Sequence, residues 1–227
     1  MKYACVEGPS FAGKSTLAKR LVDHYDGRFI GEYMDYATTN GRTGFPPLPS
    51  TIVEAKAGVD FFIGIERERS SDARTHMADG NTVFGDRSVI SLAAYQLALD
   101  RQRRHLPGNQ IAVPDYTLEA IDKAIEKGDV ELPECLIVLR AASRTVHEAR
   151  VRRRGETTMG AFNHWFFSQA LADATSEMSE LLLPADTPVR NLTSYEGEDK
   201  LVLNVLEAVT FLDTAIPLTQ DLGEVQT

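Results

Sequence analysis

Apolar positions along the chain follow two rhythms. Short runs rich in Val, Ile, Leu or Phe stand at Tyr3 to Glu7, Arg28 to Gly31, Thr82 to Gly85, Leu136 to Leu139 and Val189 to Leu192. Continuous apolar runs of this length fit strands buried on both faces, as in a parallel sheet. Between them apolar residues recur at helical spacing: Leu17, Leu21 and Tyr25; Val59, Phe62 and Ile63; Val89, Leu92 and Ala93; Leu118, Ile121 and Ile125; Val202, Val205, Leu206 and Val209. Gly27 and Gly128 stand where two of these helices should stop. The alternation predicts a three-layer α/β domain, a five-stranded parallel sheet flanked by helices. Such sheets bind ligands at the carboxyl ends of their strands, so the residues directly after each strand become the candidates for chemistry.

Composition narrows the partners. The 227 residues, 43% apolar and 25% charged, suit a single domain over residues 1–213, and the acidic, poorly patterned stretch 214–227 reads as a loose tail. The proline-rich stretch Gly44 to Pro49 is too short to separate one core from another and reads as a loop. With 24 Lys+Arg against 33 Asp+Glu the formal charge is −9, which argues against a broad grip on a nucleic-acid polymer or an anionic membrane. An anionic ligand then needs a local basic site. Cys5 and Cys135 both fall in strand-like surroundings and read as buried thiols of a reducing compartment. With no apolar leader and no run long enough to span a bilayer, a soluble cytoplasmic protein is expected.

Directly after the first strand stands Gly8-Pro-Ser10-Phe-Ala12-Gly13-Lys14-Ser15-Thr16, and an amphipathic helix follows at once. This is the P-loop pattern in its proper strand–loop–helix context. Its glycines let backbone N–H groups converge on phosphate oxygens, and the helix N-terminus adds partial positive charge. Lys14 supplies a full charge to the β- and γ-phosphates, and the Ser15 hydroxyl is left for Mg²⁺. Gly8, Ser10, Ala12, Gly13, Lys14, Ser15 and Thr16 are thus the expected nucleotide-binding set.

The fate of the γ-phosphate depends on other strand ends. No guanine-reading Asn-Lys-x-Asp motif is present, and the third strand ends in Gly85-Asp86-Arg87-Ser88 rather than in Asp-Glu. The Asp86 carboxylate suits Mg²⁺ or a proton, and Arg87 suits a phosphate or an acceptor oxygen; equally, Asp86 could cap the helix starting near Ser88 with Arg87 solvated. After the fourth strand, Arg144, Arg150, Arg152, Arg153 and Arg154 crowd a segment expected to form a lid over about 143–160. Arg150 and Arg154 share a helical face and can approach the same phosphates, unless the segment is a solvated basic helix. Val59, Ile63 and Arg67 fall at i, i+4 and i+8, which places Arg67 on an apolar stripe; the other reading is a charged helix end from Glu66 to Arg69.

Asp86-Arg-Ser-Val-Ile-Ser91-Leu-Ala-Ala-Tyr95-Gln96 resembles the thymidylate kinase segment Asp-Arg-(Tyr/Phe)-x-x-Ser-x-x-Ala-Tyr-Gln. Phe62-Ile-Gly-Ile-Glu-Arg67 stands where that family carries its Leu-Leu-Phe-Ala-Ala-Asp-Arg helix. Over residues 1–170 the order of P-loop, Arg-bearing helix, Asp-Arg strand end and Arg-rich lid is similar to the thymidylate kinase and deoxynucleoside kinase group of P-loop kinases. The resemblance implies a P-loop kinase fold that uses ATP and Mg²⁺ on a small-molecule phosphoryl acceptor, in a group where homodimers are common. It further implies that Arg67, Phe62, Arg87, Tyr95 and Gln96 meet the acceptor and that Ser15 and Asp86 serve the metal.

Two departures bear on the acceptor. Thymidylate kinases follow their second strand with Arg-Glu-Pro-Gly-Gly, whereas this chain reads Gly31-Glu32-Tyr33-Met-Asp35-Tyr36. A Glu at this point is similar to deoxynucleoside kinases, where it takes a proton from a hydroxyl, so Glu32 is the expected base, with Asp35 and Asp86 as rivals. Ser10 stands where thymidylate kinases usually carry an acid. The stretch Tyr36 to Ser50, lacking a family counterpart, is expected to wall the acceptor site, with Tyr36 at its start. The expected activity is phosphoryl transfer to a nucleoside, nucleotide or nucleoside-like acceptor. Two alternatives stand beside it: a kinase of another alcohol such as an antibiotic, and a nucleotide-dependent binding or regulatory ATPase. His24, His76, His105, His147 and His164 lack metal-ligand spacing and are expected at surfaces or helix ends, while Phe162, Trp165 and Phe166 are expected to pack on one helix face.

Overall fold

The computed structural model describes residues 2–106, 111–153, 165–194 and 198–215. Strands β1 (Tyr3–Glu7), β2 (Arg28–Ile30), β3 (Val83–Asp86), β4 (Cys135–Ala141) and β5 (Val189–Ser194) form one all-parallel sheet in the order β2-β3-β1-β4-β5. All five runs of the hydrophobic pattern are strands, β1 with the expected ends and the others shifted by one or two residues, but β2 and β5, the edge strands, are largely exposed rather than buried on both faces. From the neighbours β1 and β4 the chain departs to opposite sides of the sheet, which opens a crevice at their carboxyl ends. The P-loop lies at that edge, on β1, whose five residues are all buried.

Alternation along β1 divides the core in two. Ala4 and Val6 face a layer with Leu17 and Leu21 of α1 (Lys14–Tyr25) and Leu212 of α8 (Glu198–Ala215). Tyr3 and Cys5 face the other layer, built by α3 (Ile52–Ala78), α4 (Val89–Gln102), α5 (Pro114–Glu126) and α7 (Trp165–Leu182). Leu17 and Leu21 are almost wholly buried, worth about 1.5–3 kcal/mol each. They lock α1 to the sheet and so fix where the P-loop stands. Among the described residues no helix is long and apolar enough to cross a membrane.

Several local expectations need correcting. Helix α1 is capped by Asp26 in the left-handed region (φ +48°), not by Gly27. Gly27 answers a different need: a Cβ there would lie 2.7 Å from the Thr82 carbonyl oxygen. Gly128, by contrast, follows α5 at φ +69° as its helical stop. On α7 the buried aromatic is Phe167, while Phe166 is 60% exposed; Phe162 lies outside the described residues. Leu206 is exposed on α8, whose buried face is set by Val205, Ala208 and Leu212. His147, expected near the surface, is buried between the rings of Phe11 and Trp165, whereas His24 and His105 are exposed. His164 lies outside the described residues, as do residues 216–227, most of the stretch read as a tail.

Candidate active site

Backbone geometry makes the P-loop. Gly8 leaves β1 at φ +129°, and a Cβ there would lie 2.1 Å from the Leu139 carbonyl oxygen, so no side chain fits. Gly13 (φ +98°) turns the chain into α1, and Phe11 is held at φ +62°, a conformation non-glycine residues seldom adopt. The loop is braced from α6 (Arg144–Arg153), where Arg150 Nη1 donates to the carbonyls of Phe11 (3.1 Å) and Ala12 (2.9 Å). Arg150 Nη2 donates to Ser194 Oγ at 2.9 Å, linking the loop to the end of β5.

Lys14 is buried, and its Nζ donates to the Pro9 carbonyl at 2.9 Å. Burial, reinforced by the charge of Arg87 and opposed by Asp86, Glu32 and Glu7, lowers its pKa to about 8. A buried ammonium group with one carbonyl partner gains from any phosphate oxygen that reaches it.

The end of β3 provides the second group. Asp86 is buried, and its Oδ1 has no hydrogen-bond partner. It does not cap α4, because Ser88 does, its Oγ accepting from Ile90 N at 3.3 Å. An orphaned buried carboxylate oxygen beside the Lys14 charge is a hard-oxygen donor of the kind that suits Mg²⁺. Arg87 stands in the left-handed region at φ +73°. Its Nη1 donates to the Gly8 carbonyl (3.1 Å) and Ser91 Oγ (3.2 Å), and its Nε lies 3.5 Å from Glu32 Oε2. Glu7 anchors the next turn: its Oε1 accepts from Ser88 N (2.6 Å) and Ser88 Oγ (2.7 Å), and its Oε2 accepts from Ser91 Oγ.

A buried arginine holds these strand ends in place. Arg69 on α3 donates from Nε to the Gly31 carbonyl (2.9 Å) and from Nη2 to the carbonyls of Asp86 (2.9 Å) and Arg87 (2.7 Å). Its Nη1 pairs with Glu66 at 2.5 Å, and Glu66 also accepts from the Tyr33 hydroxyl at 2.7 Å. Burial opposes the charge on Arg69, but Glu66, Tyr3, Tyr33 and Cys5 together outweigh it and the guanidinium stays protonated. One planar group thus ties the ends of β2 and β3 together and supports the strained backbone of Arg87.

A cavity of about 580 Å³ starts at Lys14 and Ser15 and passes Glu32 and Arg87. It ends against Val59, Phe62, Leu92, Leu99, Phe167 and Leu171. Its roof is the loop before α3, with Phe45, Pro46, Pro47 and Leu48, and Phe45 tilts against Phe62 at 5.3 Å between ring centres. The roof is tied to α3 where Thr51 Oγ1 accepts from Glu54 N (3.2 Å) and Glu54 Oε2 accepts from Ser50 N (2.7 Å), a variant of the capping box.

Residues 4–171 of this chain match the AAA_28 family model, an AAA domain. The chain belongs to the AAA_28 family. Among solved structures this AAA_28 protein is similar to the thymidylate kinase of Candida albicans, at 14% identity and a TM-score of 0.56, over 95% of this chain and 94% of that one. It is also similar to the thymidylate kinase of Ehrlichia chaffeensis, at 14% identity and a TM-score of 0.56, over 93% of this chain and 98% of that one. No curated protein matches the sequence. The likeness is one of fold: a thymidylate kinase-like, three-layer P-loop architecture, as the motif order implies.

In this AAA_28 chain Ser10, Gly13, Lys14, Ser15, Thr16, Glu32, Phe62, Arg87, Tyr95 and Gln96 line the cavity together. Gly8 and Ala12 shape the loop from behind, and Arg150 is engaged on loop carbonyls. Arg154 lies outside the described residues. Arg67 does not reach the cavity: its side chain is 51% exposed and pairs with Asp129 at 3.1 Å. Steps of four residues drift by about 40° each on a helix of 3.6 residues per turn. The buried stripe of α3 instead runs Val59, Ile63, Glu66, Ser70, Ala73, and Arg69 flanks it. Tyr36 is also displaced, with its hydroxyl on Asp72 at 2.8 Å, and Tyr33 takes the place on the cavity wall. Asp35 is exposed on the short helix α2 (Tyr33–Tyr36), away from the cavity lining, and Asp86 is buried behind it.

Proposed function

We propose that this AAA_28 protein is an ATP- and Mg²⁺-dependent kinase that transfers the γ-phosphoryl group to a hydroxyl of a small molecule, within one domain over residues 1–213. The observation that carries this reading is one continuous cavity that takes in Lys14 and Ser15, Glu32 and Arg87, and the apolar side chains of Phe62, Leu92 and Leu171. A site built only for hydrolysis needs room for a water molecule, whereas this chamber has room for an acceptor beside the phosphates.

In the proposed reaction the P-loop amides and Lys14 hold the β- and γ-phosphates. Ser15 and Asp86 would hold Mg²⁺, which when bound neutralises charge developing on the phosphate oxygens. The acceptor oxygen forms a bond to the γ-phosphorus, the bond to the β,γ-bridging oxygen breaks, and ADP leaves. The hydroxyl proton passes to Glu32, whose carboxylate lines the cavity beside Arg87. Arg87, fixed by Gly8 O and Ser91 Oγ, is set to meet the moving phosphoryl group. Arg150 keeps the loop in shape. Nucleoside-like acceptors and other alcohols both satisfy this chemistry.

The family description favours a second reading, ATP hydrolysis that drives a change of state. The two separate when the protein is incubated with ATP, Mg²⁺ and a panel of nucleosides, nucleoside monophosphates and hydroxylated antibiotics, and products are read by mass spectrometry. The kinase reading expects an acceptor heavier by one phosphoryl group. ADP and inorganic phosphate as sole products in every arm would favour the ATPase.

A further inference from the structure

The wall of the cavity carries more information than its size. Among the described residues, the cationic side chains lining it are Lys14 and Arg87, both at the P-loop end. Of its two acids, Glu32 sits beside Arg87, and Glu54 is engaged by Ser50 N and Ser50 Oγ, both at 2.7 Å. Two wall hydroxyls are turned into the protein: Tyr33 donates to Glu66 at 2.7 Å and Ser91 donates to Glu7. Pro46, Pro47 and Pro49 in the roof have no N–H to offer. Gln96 Oε1 accepts from Val113 N at 2.9 Å, which leaves the Nε2 amide as its donor group.

Among the described residues the far half therefore offers a mainly apolar surface, with the Gln96 amide and the Tyr95 hydroxyl as its polar side-chain groups. A phosphate monoester placed there leaves water without meeting a cation, and a nucleobase leaves several polar edges unpaired. Each unpaired buried group lowers affinity on the order of ten- to a hundredfold. A ring system without such edges gains from burial against Phe62, Leu92 and Leu171.

We propose that the acceptor is an alcohol with a largely apolar, ring-bearing body, seated on Phe62, Leu92 and Leu171 with its hydroxyl toward Glu32, and that phosphate monoesters and free nucleosides are poor acceptors. The proposal rests on the kinase reading of the same cavity and narrows its substrate class.

The test uses the full chain with labelled ATP and Mg²⁺ and three probes: 2-(1-naphthyl)ethanol, thymidine and thymidine 5′-monophosphate. Transfer to the naphthyl alcohol at a kcat/KM at least tenfold above thymidine, and about a hundredfold above the monophosphate, is expected. Equal or better transfer to thymidine or its monophosphate overturns the apolar class and leaves the kinase reading standing. Release of inorganic phosphate with no labelled product counts against the kinase reading. Calorimetry with β,γ-imido-ATP present then decides the chamber by itself. Naphthyl alcohol binding with a negative heat-capacity change supports the apolar seat, and no binding overturns it. In Phe62→Ala the acceptor constant should weaken about tenfold while that for ATP is unchanged; equal weakening of both contradicts the assignment.

Discussion

The two ends of the cavity are built by different means. At the P-loop end, backbone does the work: Gly8 and Gly13 set the turn, carbonyls anchor Arg150 and Lys14, and charge is concentrated on a few side chains. At the proposed acceptor end the surface is made mainly of apolar side chains from α3, α4, α7 and the roof loop. A backbone cradle recognises phosphate whatever molecule carries it, so the nucleotide end can serve many reactions. Selectivity then falls to the side-chain end, and Glu32 and Arg87 stand where the two meet.

Removing the cation at the polar end should have the largest effect. Lys14→Ala is expected to lower kcat/KM for transfer by three decades or more, about 4 kcal/mol in the transition state. A loss below tenfold would break the assignment of the phosphates to this end. The support behind the junction comes next. Arg69→Met leaves the buried Glu66 without its counter-charge and should reduce unfolding stability by about 3–5 kcal/mol in urea titration. A loss under about 1 kcal/mol would mean that Arg69 is not what ties β2 to β3. At the junction itself, Glu32→Gln should reduce kcat on the order of a hundredfold with the ATP dissociation constant unchanged.

Acidity sharpens the same contrast. The Lys14 pKa of about 8 lies below the ordinary value of 10.5, so the empty protein loses this charge as pH rises past 8. Phosphates favour the charged form, so ATP binding takes up a proton there, and affinity should fall by up to tenfold per pH unit above about 8. The empty fold responds with the opposite sign. The cost of burying charged Lys14 is fully present below pH 8 and is relieved between 8 and 10.5, so this group raises stability across that window. Acceptor binding at the apolar end should be flat over the same range. The smallest effect belongs to the roof, where Thr51→Ala removes the α3 cap for about 1 kcal/mol and should weaken acceptor binding more than ATP binding.

What the sequence revealed follows the same division. The P-loop and the Asp86-Arg87 pair are legible because their chemistry depends on spacing within one short segment. Glu32 is legible through its place directly after β2. Arg69 is not, because its partners are carbonyls of two other segments and the apolar stripe points first to Arg67 two residues away. Glu7 reads as the last residue of a strand, although its carboxylate organises the start of α4. The apolar chamber is the least legible part. Val59, Leu92 and Leu171 show ordinary helical periodicity, and only the packing of three helices leaves a space among them.

Transfer and hydrolysis separate most cleanly in the balance of products from one reaction. With ATP, Mg²⁺ and an accepted alcohol, transfer yields one phosphorylated acceptor for each ADP formed, with inorganic phosphate a small fraction of the ADP. ADP matched one for one by inorganic phosphate, unchanged by any acceptor in the panel, would contradict the kinase reading.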